Sequence, residues 1–319
     1  MFPIVLKRGL RLIVGVCLTG PVAAQSLPPP EPAAPAFMRQ TVAFVDDFIH
    51  RLNYQRTPDN EPMDSTNRQR YARGPYVRDL FDEQEPRLNR RSAQFSPTYA
   101  LAVDAFIGDV VQDTARLYLP DAHEQLFAEV TYGFRYQHRL VPVTVYLKRF
   151  RQGQAHDWKI LDVAHALTAP PDSSSPRPAP PPDSLLNVAD PTTDSLPPRP
   201  LPTAERTLLF ITSQTHETRF LNLYKHLRDR RDLRRLTPAN QPPSDALQHL
   251  TRLLETGAIT VEQTQSLHLY LNTRRGWVLR LDNLNRESVN SGWLITDLYG
   301  DETPSRPPAP IATYLRQHP

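Results

Sequence analysis

A chain of 319 residues, 39% hydrophobic and 22% charged, has the balance of a globular protein and the length for one or two packed cores. Its formal charge of +3 is a property of the amino end. Lys7, Arg8 and Arg11 supply three cations there with no acid before Gln25, so the remainder comes to 3 − 3 = 0, which leaves no electrostatic case for nucleic acid or other general polyanion binding. The single cysteine, Cys17, excludes an internal disulfide, and eleven glycines in the whole chain argue against phosphate-cradling loops.

The first segment reads as a secretory signal: a basic start, the apolar run Leu12–Leu18, and the compact triplet Val22-Ala23-Ala24. The run is too short to span a bilayer. Cleavage is expected after Ala24, giving a signal peptide over 1–24 and an extracytoplasmic protein, periplasmic or secreted, with no stable transmembrane segment. An uncleaved anchor and acylation at Cys17 are the alternative fates; Val16 stands where acylation requires a small residue. Residues 25–36 are a Pro-rich spacer.

A first α+β module is expected over 37–168. Phe37, Thr41, Phe44, Phe48 and Leu52 recur at helical steps, residues 54–75 read as loop, and Tyr76–Phe81 as a short helical turn. Ser96-Pro97 is a hydroxyl cap before proline, starting a helix to about Val111. Residues 130–136, 142–150 and 158–163 alternate as strands of an antiparallel meander. Residues 169–205, dense in proline, read as a disordered linker.

The same order then restarts in a second module over 206–302. Phe220, Leu223, Tyr224 and Leu227 share one helical face, and Ser244 opens a helix carrying Leu247, Leu250, Leu253 and Leu254, closed by Gly257. Strands follow at 265–271, 276–281 and 292–298, and residues 303–319 read as a flexible tail. Trp158-Lys-Ile160-Leu-Asp162-Val163 and Trp293-Leu-Ile295-Thr-Asp297-Leu298 close the two meanders with one pattern. The expected fold class is therefore α+β, two tandem helix-helix-meander modules joined by the linker. Each tryptophan should be buried between its own sheet and its own helices.

Helices followed by long meander strands ending in Trp-x-Ile-x-Asp-aliphatic resemble the nuclear-transport-factor-2-like superfamily of cone-shaped α+β domains, over roughly 37–167 and 206–302. A cystatin-like fold is the close structural alternative. The resemblance implies a curved sheet wrapped around helices with a pocket inside, and either an isomerase-type, dehydratase-type or cyclase-type activity or a non-catalytic binding or accessory role.

No metalloprotease, nucleophile-elbow or calcium-loop motif is present, and the ten histidines show no ligand spacing; no metal and no cofactor is expected. Asp162 and Asp297 share strand parity with the Trp and Ile of their motifs, so each carboxylate should face the apolar side. Burial there would suit Asp162 to proton transfer, with Tyr132 beside it; repetition in both halves points instead to a structural role. Tyr136 and Tyr146 are candidate ligand contacts. Lys225–Arg235 is the densest basic run, and Arg228, Arg231 and Arg235 would offer an anionic surface a binding face; Asp229 and Asp232 favour intrahelical pairing. The reading that results is an exported, non-enzymatic binding or assembly protein of the cell envelope, whose partner is a small ligand or an envelope protein. The alternatives are an exported enzyme with a proton-transfer site in the first pocket, and an anionic-surface binder acting through 225–235.

Overall fold

A computed structural model describes residues 44–113, 118–153, 155–167, 211–212, 215–287, 290–301, 303 and 305–318. The signal, the spacer, the start of the first helix at 37–43 and the linker at 169–205 lie outside the described residues. The rest belongs to one compact unit.

Among the described residues, four α-helices precede the first strands: α1 (Val45–Leu52), α2 (Ser65–Arg70), α3 (Arg73–Arg78) and α4 (Pro97–Gln112). Ser96 caps α4 by accepting from Tyr99 N at 3.2 Å, with Pro97 at the first helical position. A meander follows, β1 (Leu126–Tyr136), β2 (Arg139–Gln152) and β3 (Ala155–His165), then the two-residue β4 (Ile211–Thr212). Helices α5 (Leu221–Arg228) and α6 (Asp245–Glu255) lead into β5 (Ile259–Asn272), β6 (Val278–Leu284) and β7 (Gly292–Tyr299), and α7 (Ala309–Gln317) closes the chain. Gly257, with φ +70°, ends α6 in the left-handed turn its position calls for.

Among the described residues the strands make one antiparallel sheet in the order β4-β3-β2-β1-β5-β6-β7. The two meanders meet through their first strands, β1 pairing β5 from Leu126↔Leu271 to Tyr136↔Ile259. One face, carrying Val130, Tyr132, Val145, Leu147, Leu269 and Leu281, packs against α1 and α3–α6 in one continuous core. Phe127, Leu161, Tyr270, Val278 and Tyr299 line the other face, under Ile311 of α7. The expectation of two tandem modules is thus overturned: both halves share one sheet and one core, because the β1–β5 ladder satisfies edge groups that separate modules would have left open.

The anchors between helices and strands also cross from half to half. From the amino-terminal half, the stretch after α3 joins the outer edge of β7, where Ile295 N donates to Leu80 O at 2.8 Å and Asp82 N to Ile295 O at 2.9 Å. Asp109 of α4 accepts from Trp277 Nε1 at 2.8 Å, and Arg286 pairs with Asp82 at 2.5 Å. From the other half, β4 adds to the outer edge of β3, and the Phe220 ring meets Trp158 edge-on at 5.2 Å. Trp158 and Trp293 are both buried, but Trp158 packs under helices of the opposite half, not its own.

The repeated motif has a further shared feature. In the β2–β3 ladder Tyr146 faces Asp162 and Leu147 faces Ile160, so Leu161 is an extra residue; in β6–β7, Arg280 faces Asp297 and Leu281 faces Ile295, so Thr296 is extra. Each is a β-bulge. It breaks the two-residue alternation, so Trp158, Ile160 and Val163 enter the core, as do Trp293, Ile295 and Leu298, while Asp162 and Asp297 do not. The expected inward parity of both aspartates is corrected on that ground. Residues 309–317, read from the sequence as tail, form α7, whose Ile311, Tyr314 and Leu315 follow helical spacing. No helix among the described residues is long and apolar enough to cross a membrane.

Candidate functional site

Where the sequence suggested a pocket, the core side of the sheet carries closely buried apolar side chains of the main core. Tyr132 is fully buried, its hydroxyl donating to Phe220 O at 3.3 Å, and burial raises its phenol well above the usual range. Asp162 opens toward α7 instead, half-buried, with Oδ1 accepting from Ser244 Oγ at 2.5 Å and from Val163 N at 2.8 Å. The structure does not bring Tyr132 and Asp162 together. Tyr136 packs at the margin of the main core, remote in register from Asp162, and Tyr146 stands directly opposite Asp162 on β2. Burial raises the Tyr146 phenol, with the carboxylates of Glu129 and Asp162 adding to it.

A concave feature lies on the outer face, where the end of β2, Lys159 of β3, the loop 237–243 and α7 border an open groove of about 1340 Å³. A smaller recess of about 200 Å³ continues it to Leu161 and Asp162, sharing Gln241, Tyr314 and Gln317. The main groove presents Arg151, Lys159, Arg234 and Arg235, with the rings of Phe150 and Tyr314 and the amides of Asn240 and Gln317, and among the described residues no acid lines it. The cations are balanced from outside the groove: Lys159 by Asp157 at 2.9 Å, Arg234 by Asp232 at 2.7 Å and Glu255 at 3.2 Å, Arg151 by Glu124 at 3.4 Å. Pairs as exposed as those of the arginines contribute little to stability.

The basic run divides at this point. The helix ends at Arg228, Arg230 takes a left-handed φ of +55°, and a 3-10 turn spans Leu233–Leu236. Arg228 pairs with Asp229 at 3.1 Å away from the groove, Arg231 is half-buried, and Arg235 alone of the three expected arginines lines the groove. The single helical face that the anionic-surface reading required is absent.

One wall is fastened by Lys148. Its ammonium donates to Glu124 O and lies 4.8 Å from the Phe127 ring centre, 5.4 Å from Phe150 and 5.4 Å from Tyr314, a cation–π cage joining α7 to the sheet. Burial pushes the Lys148 amine down to about 8, Glu124 opposing. Phe150, Lys159, Arg234, Gln241 and Tyr314 escaped the sequence reading; the helical spacing of Ile311, Tyr314 and Leu315 was the one signal available. Among the described residues, no group of three or more His, Cys, Asp or Glu side chains could hold a metal ion. No family model, curated protein or solved structure matches the chain.

Proposed function

We propose that this chain is an exported, non-enzymatic binding or assembly protein of the cell envelope, and that it holds an extended acidic segment of a partner polypeptide in the outer groove. The observation that carries the reading is a groove with four cationic side chains, two aromatic rings and no acid among its lining residues. Aromatic faces and alkyl stems give an extended chain its contact area, amides meet its backbone, and the guanidinium groups take carboxylates in forked pairs. The separation of Tyr132 from Asp162 weighs against the proton-transfer alternative. The test is fluorescence anisotropy of labelled poly-glutamate. Binding should weaken as salt rises from 50 to 500 mM, and by about tenfold in an Arg234→Ala/Arg235→Ala variant, at roughly 0.5–1 kcal/mol per exposed contact. Affinity unchanged in that variant would place the ligand elsewhere and refute the reading.

A further inference from the structure

The second copy of the six-residue motif supplies a template for one end of the groove. At the second motif, a guanidinium seats on the bulge: Arg87 Nη1 donates to Asp297 Oδ1 at 2.9 Å, Nη2 donates to the bulge carbonyl Thr296 O at 3.0 Å, and the group stacks 4.0 Å from the Tyr99 ring centre. At the first motif the same two acceptors are served separately. Asp162 Oδ1 takes Ser244 Oγ at 2.5 Å, and the bulge carbonyl Leu161 O takes Gln241 Nε2 at a long 3.4 Å. Asp162 has no cation within ion-pairing distance among the described residues. The residue facing it is the neutral Tyr146, where Asp297 faces Arg280. Beside it lies the 200 Å³ recess, with Tyr314 on its wall.

The chain's own candidate for the seat is placed otherwise. Arg87-Leu88 stands nine residues before the helix cap Ser96, and Arg235-Leu236 stands nine before the cap Ser244. Arg235 reaches Asp232 at 3.7 Å and lines the main groove, leaving the recess unfilled by it. Carboxylate, bulge carbonyl and flanking phenol are therefore acceptors that Arg87 occupies at one motif, where Glu85 also holds its Nε at 2.7 Å. At the other they are held by the neutral groups of Ser244, Val163 and Gln241, with His318 stacked on the phenol, and by no cation among the described residues.

We infer that the recess at Asp162 is a guanidinium site, which takes an arginine side chain of the partner polypeptide. The inference rests on the groove reading for its partner, and it sharpens it: the bound segment carries acidic residues against Arg151, Arg234 and Arg235, and an arginine at the Asp162 end. A planar guanidinium spans the two acceptors with parallel hydrogen bonds, which a lysine ammonium cannot do. Gln241 yields the carbonyl at little cost, its bond being the longer one.

Two probes separate this inference from the groove reading. Acetyl-arginine amide, titrated into the full-length protein, should shift the Val163 backbone amide and Gln241 side-chain amide signals in NMR spectra. Acetyl-citrulline amide, the uncharged isostere, should not, and Asp162→Asn should abolish the arginine response while keeping the Ser244 contact. In the second measurement, a labelled hexaglutamate peptide ending in arginine should bind about tenfold tighter than its citrulline counterpart. That preference should vanish in Asp162→Asn and survive in Arg234→Ala/Arg235→Ala, which weakens both peptides alike. Equal responses to arginine and citrulline overturn the guanidinium site while leaving the groove intact. Failure of both peptides with a retained acetyl-arginine response overturns the groove instead. A response that emerges only after Arg235→Ala would make Arg235 the occupant and overturn the assignment to a partner.

Discussion

Trp158→Ala tests whether the two halves share one core. The indole is fully buried, edge-on to Phe220 at 5.2 Å and to His216 at 5.9 Å. Removing it leaves a cavity that costs about 3–5 kcal/mol, a large part of the 5–15 kcal/mol typical of a folded domain. With a urea slope of about 3 kcal/mol per M, the midpoint should fall by about 1–1.7 M. The variant retains two tryptophans, Trp277 and Trp293, both within the second meander region and far in register from the substitution. Their fluorescence should nevertheless lose structure at the lowered midpoint, together with far-ultraviolet circular dichroism, in one transition. A Trp277/Trp293 transition left at the wild-type midpoint while the remaining signal melts earlier would refute the single core.

Arg87→Ala should cost about 2–3 kcal/mol by stripping the charged hydrogen bonds from Asp297 and the Thr296 carbonyl. Arg87→Lys should recover little of it, since an ammonium cannot span both acceptors; full recovery of the urea midpoint by lysine would count against the forked geometry. Lys148 predicts a pH effect. Its folded pKa of about 8 lies below the ordinary 10.5, so between those values the unfolded chain binds more protons and stability rises with pH. The burial penalty is complete below about pH 8. The difference in urea midpoint between Lys148→Met and wild type should therefore shift toward wild type from pH 7.5 to 9.5, and a constant difference would show that Lys148 is not the titrating group.

Local structure was legible where a side chain states its own backbone preference. Ser96-Pro97 and Ser244 start helices where capping chemistry requires, and Gly257 ends one. The strand periods were legible too, because alternation reports a half-buried face. The partner of that face was not. Val130 and Leu269 carry the same apolar signal whether β1 pairs another chain, another module or β5 of its own chain, and only the β1–β5 ladder decides it. The bulges were hidden for a related reason: Leu161 and Thr296 have no common side-chain chemistry, so their extra place in the ladder leaves no mark, and counting by twos turns Asp162 the wrong way. The groove assembles from β2, β3, the 237–243 loop and α7, elements up to 168 residues apart between Phe150 and His318 by subtraction, which no local pattern connects. Arg87 sat in a segment without periodicity, and its role depends on a strand two hundred residues later.

The crossing of helices over the opposite meander sets the order in which the molecule can close. Helix α4 ends at Gln112, yet Trp277, which Asp109 holds, and Asp297, which Arg87 holds, are made much later. At about 5–20 residues per second, the interval from Gln112 to Tyr299 lasts on the order of 10–40 s. Through that time the apolar stripe of the first helices has no finished surface to cover, and native closure waits for nearly the last strand to appear. Early commitment to a stable half is thereby denied to the growing chain, and long-range pairing makes the final step slow. The contacts that fasten α4 and Arg87 to the second meander can form only once the chain is nearly whole.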